Sequence, residues 1–151
     1  MPKTPFLSRR GMLSRLEVER AIYTASERIS SSIIALSLPE SAPAGTIDLW
    51  ELENIIIQIL TEAVNSIMEV DPILGEDLSF EIRRRRSSLI DDMVSLFLEC
   101  VRDAFGSSVE IDYPTPRTIS VRLSRAVSKR DFIQKEFKST IYEMLRYLVG
   151  K

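Results

Sequence analysis

Residues 48–70 read DLWELENIIIQILTEAVNSIMEV. Asp48 and Glu51 stand at capping-box spacing, and acid in a first turn suits the positive end of a helix dipole. Leu52, Ile56, Ile59, Ala63, Ile67 and Val70 then recur at three- and four-residue steps, the repeat of one helical face. Trp50, Ile57, Val64 and Met68 extend the apolar surface to a second face. A helix this apolar is expected at the centre of a bundle, packed on two sides. Asp71-Pro72 ends it.

Working outward, residues 39–47 form a connector rich in Pro, Ala, Ser and Gly. Before it, Ser14 and Glu17 have capping-box spacing, and Val18, Ile22, Ala25, Ile29, Ile33 and Leu36 follow as one face. Pro39 closes that helix, and the run Ser30-Ser31-Ser32 reads equally as room for close helix approach or as a solvated face. Residues 1–13 read as a separate basic arm, irregular around Pro2, Pro5 and Gly11.

On the other side, residues 71–77 read as a turn. A third helical region spans about 78–105, with Leu78, Ile82, Leu89, Met93, Phe97, Cys100 and Ala104 in its stripe. Arg85 and Arg86 fall where that stripe should continue, so either the helix breaks there or an arginine lies on the packed seam. From 109 to 123 the period changes to two: Val109, Ile111 and Tyr113, then Ile119, Val121 and Leu123. Matching the apolar faces pairs Val109 with Leu123 and Ile111 with Val121, and sets Glu110 opposite Arg122, a favourable cross-strand pair. A last helix over 130–149 carries Ile133, Phe137, Ile141, Met144 and Leu148. The expected fold is mainly α: a four-helix bundle-like single domain over 14–151, with a two-stranded β-hairpin before the last helix.

Composition narrows the function classes. The 151 residues are 44% hydrophobic and 28% charged, which suits one globular domain and excludes a disordered tail or a collagen-like repeat. One cysteine allows no internal disulfide, and with no run of 18 apolar residues and no signal-peptide pattern the expectation is a cytoplasmic protein without a membrane anchor. Few amides, many Ile and Leu, and Arg in excess over Lys give a thermophile-like composition. There is no histidine, which removes the commonest general base and metal ligand. Asp91 and Asp92 are neighbours on a helix and point about 100° apart, poor geometry for joint acid–base work. No glycine-rich phosphate loop, zinc spacing or calcium loop occurs, so no enzyme activity, cofactor or metal is expected.

The net charge of −2 conceals strong blocks. Residues 1–38 carry +3, residues 39–82 carry −10 with no base among them, Arg83 to Arg86 add +4, residues 87–116 carry −5 and residues 117–151 carry +6. Guanidinium is permanently charged and grips phosphate bidentately. Three basic segments are therefore candidate nucleic-acid contacts: Arg9 and Arg10 in the arm; Arg83, Arg84, Arg85 and Arg86; and Arg117, Arg125, Lys129 and Arg130 around the hairpin tip and the last helix entrance. Four consecutive helical residues spread over about 300°, so the quartet forms a single patch only where the helix breaks. The leading expectation is a non-catalytic nucleic-acid-associated accessory or packaging subunit, touching DNA or RNA phosphates without reading sequence. The rival is a protein–protein adaptor or self-assembling structural subunit, homo-oligomeric or part of a larger complex, whose acidic and basic blocks meet each other instead.

Overall fold

The computed structural model describes residues 5–38, 44–123 and 130–150, with side chains over 14–38, 44–123 and 132–150. The elements in chain order are α1 (Pro5–Ser37), β1 (Ala44–Asp48), α2 (Leu49–Val70), α3 (Pro72–Arg84), α4 (Arg86–Phe105), a 3₁₀ turn (Gly106–Ser108), β2 (Val109–Thr115), β3 (Thr118–Leu123) and α5 (Arg130–Val149). The fold is mainly α, as expected from the sequence. Among the described residues there are five α-helices rather than four, and the hairpin gains a third strand.

α2 starts where the sequence predicts. Asp48 caps it, its carboxylate accepting from Trp50 N at 2.9 Å and Glu51 N at 3.4 Å. Leu52, Ile56, Ile59, Leu60, Val64 and Ile67 are buried. α1 packs along α2 on one side and α5 on the other. Its buried stripe runs through Val18, Ile22, Ala25, Ile29 and Ile33. Ser26, Ser30 and Ser37 are also fully buried, and their hydroxyls donate back to carbonyls of Ile22, Glu27 and Ile33, so no polar group is orphaned there. Small side chains at these positions let α1 sit close to its neighbours. The expected helix start at Ser14 is displaced: α1 begins at Pro5, so residues 5–13 are helical rather than irregular. Ser14 instead donates its hydroxyl to Val70 O, one of the unpaired carbonyls at the end of α2.

Residues 71–77 are not a turn. Asp71 alone separates α2 from α3, and its side chain accepts from Leu74 N at 3.2 Å while Pro72 fills the first helical position. Gly75 lets α3 close onto α2: a Cβ there would lie 2.2 Å from Met68 Cγ and 2.9 Å from its Cα. Leu78 and Ile82 face inward. The break among the arginines falls at Arg85, with φ −105° and ψ 15°, and α4 restarts directly without a side-chain cap. The i→i−4 bonding persists through it, from Arg85 N to Glu81 O and from Leu89 N to Arg85 O. α4 ends at Gly106, whose φ of 55° favours glycine. Phe97 on α4 meets Phe137 on α5, ring centroids 5.2 Å apart, in the middle of the core.

The sheet is antiparallel in the order β1-β3-β2. β2 and β3 adopt the predicted register, Val109↔Leu123, Glu110↔Arg122 and Ile111↔Val121. β1 comes from the segment read as a connector; it pairs Gly45 with Val121 and Ile47 with Ile119. The inner face buries Ile47, Ile119, Val121 and Leu123. β1 also backs onto the end of α1, where a Cβ at Gly45 would lie 2.4 Å from Leu36 O and 2.6 Å from Ser37 O.

Candidate functional site

The first turns of α2 organise both described basic segments. Trp50 and Glu53 are three residues apart and so lie on one helical face. At Glu53, Arg86 donates from Nε to Oε1 at 2.6 Å, tying the start of α4 to α2. At Trp50, the guanidinium of Arg117 lies 4.2 Å from the ring centroid. The Arg117 Nε is also 3.5 Å from the Asp48 carboxylate, and the Arg117 carbonyl accepts from Leu49 N at 2.8 Å. The turn itself is pinned: the Thr115 hydroxyl accepts from Arg117 N at 3.2 Å and Thr118 N at 3.1 Å. The fold therefore brings the Arg83–Arg86 junction and the hairpin tip to the same end of α2.

The company these arginines keep changes their meaning. Arg84 and Arg85 both reach Glu81, at 2.9 Å and 3.0 Å. With Arg86 on Glu53, three of the quartet meet carboxylates of the acidic block. Arg83 is exposed and has no ion pair among the described residues. Farther along, Arg28 bridges Glu62 at 2.5 Å. Acidic and basic blocks thus meet within one chain, between α1 and α2, within α3 and across its junction to α4, and at the β2–β3 turn.

The other candidates are less visible. Arg9 and Arg10 lie on α1, but their side chains are outside the described residues, as is the side chain of Arg130 at the first position of α5. Arg125 and Lys129 fall outside the described residues altogether. Beyond them, Lys138 donates from Nζ to Tyr23 Oη at 3.1 Å and lies 5.0 Å from that ring. This bond holds the Lys138 ammonium above its ordinary pKa. Arg146 and Tyr142 both engage Glu19.

Two aromatic residues depart from expectation. Trp50, expected on a buried second face, is 66% exposed. It occupies the first turn of α2, and the Arg117 guanidinium lies over its ring. Tyr113, on the apolar side of β2, is 60% exposed because the strand runs past the helices toward its tip, where a bulge between Asp112 and Thr115 turns it. Phe132, near the start of α5, is 56% exposed as well. The signal for Trp50 is present in the sequence: it lies two residues after a capping Asp, where a helix is still entering the fold.

Little else has the makings of chemistry. Burial, chiefly, and then the carboxylates of Glu136, Asp103 and Glu99 push the Cys100 thiol above its ordinary pKa, so it stays protonated and unreactive near neutrality. Among the described residues, no group of three Cys, Asp or Glu side chains converges as a metal site, and no helix is long and apolar enough to cross a membrane. No protein-family model matches the chain, and neither a curated protein nor a solved structure matches it.

Proposed function

We propose that the chain is a non-catalytic protein-interaction subunit, an adaptor or assembly component, that docks a partner protein at the hairpin end through Trp50, Tyr113 and Arg117. The observation that carries this reading is the exposed Trp50 ring under the Arg117 guanidinium, beside a turn held by one backbone–backbone hydrogen bond and two from backbone N–H groups to the Thr115 hydroxyl. Tryptophan, tyrosine and arginine dominate binding energy at protein interfaces. A turn that is already rigid loses little further freedom on docking. The ion pairs of the quartet point the same way: a phosphate approaching Arg84, Arg85 or Arg86 also meets Glu81 or Glu53.

A second reading keeps the nucleic-acid-associated role. An exposed tryptophan beside an arginine is also a platform on which unpaired bases stack. Trp50 is the sole tryptophan, so its fluorescence reports on this site alone. The test pairs two measurements on the full chain. Single-stranded DNA, duplex DNA and RNA are titrated across a salt series while Trp50 emission is followed. Interacting proteins are quantified by mass spectrometry for the wild type and for Trp50→Ala. The adaptor reading expects flat titrations and a partner protein lost selectively from the variant. Salt-sensitive quenching by single strands, with no protein lost, would overturn it in favour of base stacking.

A further inference from the structure

The outer face of α3 is antisymmetric in charge about an exposed phenylalanine. Ile73, Glu76, Asp77, Arg83 and Arg84 stand three, four or seven residues from Phe80 and all six are exposed, while Gly75, Leu78 and Ile82 face the core. At about 100° per residue, all six lie within roughly 60° of Phe80 around the helix. Ile73 is 74% exposed and Phe80 58%, large apolar side chains that no part of the described chain covers. The two acids lie one turn before Phe80 and the two arginines one turn after it.

We infer that this face binds a second copy of the chain, with the two α3 helices antiparallel and Phe80 on the two-fold axis. In that arrangement the turn before Phe80 lies against the turn after it on the other copy, and the two-fold keeps each flank of the helix on its own side. Asp77 and Arg84 share one flank and Glu76 and Arg83 the other, so Asp77 faces the second copy's Arg84 and Glu76 faces its Arg83. Each pair occurs twice by symmetry, which makes the surface self-complementary as a two-fold contact requires. Parallel packing fails, because it sets acids beside acids and bases beside bases. Asp77, Glu76 and Arg83 have no ion pair among the described residues, so they are ready for this use. Arg84 exchanges an exposed bridge to Glu81 for one to Asp77, at little cost. A three-turn helix covers less than the roughly 800 Å² per partner of a standard interface, so the dimer is weak and dissociates on the order of 100 µM. The contact is on α3, and it does not rest on the hairpin-end reading.

The test is sedimentation equilibrium of the full chain, loaded from about ten-fold below to about ten-fold above that concentration. The wild type is expected to dimerise, less so at high salt. E76R/D77R leaves the face wholly basic and R83E/R84E leaves it wholly acidic; each is expected to be monomeric. Mixed one to one, they are expected to associate at least as tightly as the wild type. All the altered side chains are exposed, and circular dichroism checks that each variant is folded. A monomeric wild type at the highest loading would overturn the proposal. So would charge variants that dimerise alone as the wild type does, or a mixture that stays monomeric.

Discussion

At the α3–α4 junction, three of four consecutive arginines meet carboxylates of their own chain; at the β2–β3 turn, a lone arginine meets a tryptophan. The first is the louder signal in the sequence and the quieter surface in the fold. Arg84, Arg85 and Arg86 are occupied by Glu81 and Glu53, and the ion pairs brace a one-residue break between two helices. Arg117 also has a carboxylate, but its guanidinium lies over an aromatic ring that remains mostly open. A run of like charge measures what a segment carries, not what it has left after folding. The opposite block, 39–82, is long and lacks bases, so the arginines find partners nearby.

The largest break in this comparison comes from beneath the hairpin tip. Gly45 lets β1 lie directly on the last turn of α1, and the atoms an added Cβ would meet are backbone oxygens, which cannot rotate away. Gly45→Ala is expected to cost about 3 kcal/mol, the upper end of the range for overpacking. Urea denaturation followed by circular dichroism measures it. A cost below about 1 kcal/mol would mean that β1 shifts freely and that the tip is not held by α1.

A smaller effect separates the tip from its support. Asp48 caps α2 and also faces Arg117. Asp48→Ala is expected to lose about 1 kcal/mol from the cap. It also removes one of the contacts holding Arg117 over Trp50, so the emission of Trp50 should change. Asp48→Asn keeps the cap and removes the charge, and most of the stability should return while the emission change persists. If Asn restores both, the Arg117 position depends on the turn alone.

The sequence was legible where short-range rules act alone. The hairpin register follows from alternation, because slipping by one residue would expose Ile119, Val121 and Leu123. The start of α2 follows from Asp48. Three elements escaped such rules. β1 is short, with Ile47 as its one large apolar residue, so alternation has nothing to count; its pairing is a long-range event made possible by Gly45. The start of α3 had both an Asp cap and a proline at the first position, but residues 71–77 read as a turn. Gly75 within them admits Met68. Trp50 was assigned to the core by hydrophobicity, although the extent of its cover depends on where α1 and α5 stop. Of the candidate site, the arginines were legible and their availability was not, since Glu53 and Asp48 reach Arg86 and Arg117 across 33 and 69 positions of chain.

The smallest expected change in stability is the sharpest test of that availability. Glu53 and Glu81 are partly exposed, and bridges of this kind contribute about 0.5 kcal/mol or less each. Glu53→Gln with Glu81→Gln should therefore leave the fold nearly as stable as before. Its consequence is electrostatic: Arg84, Arg85 and Arg86 lose their competitors, and a polyanion can take them. Retention on immobilised heparin should rise. Net charge alone raises retention too, so the reference is E69Q/E99Q, which removes the same charge from exposed positions elsewhere. Later elution of E53Q/E81Q than of E69Q/E99Q would show that the junction is a phosphate-capable cluster held shut by its own carboxylates. Equal elution would mean that the arginines are oriented by the helix break and not by the acids. The contrast between junction and tip would then rest on Trp50 alone.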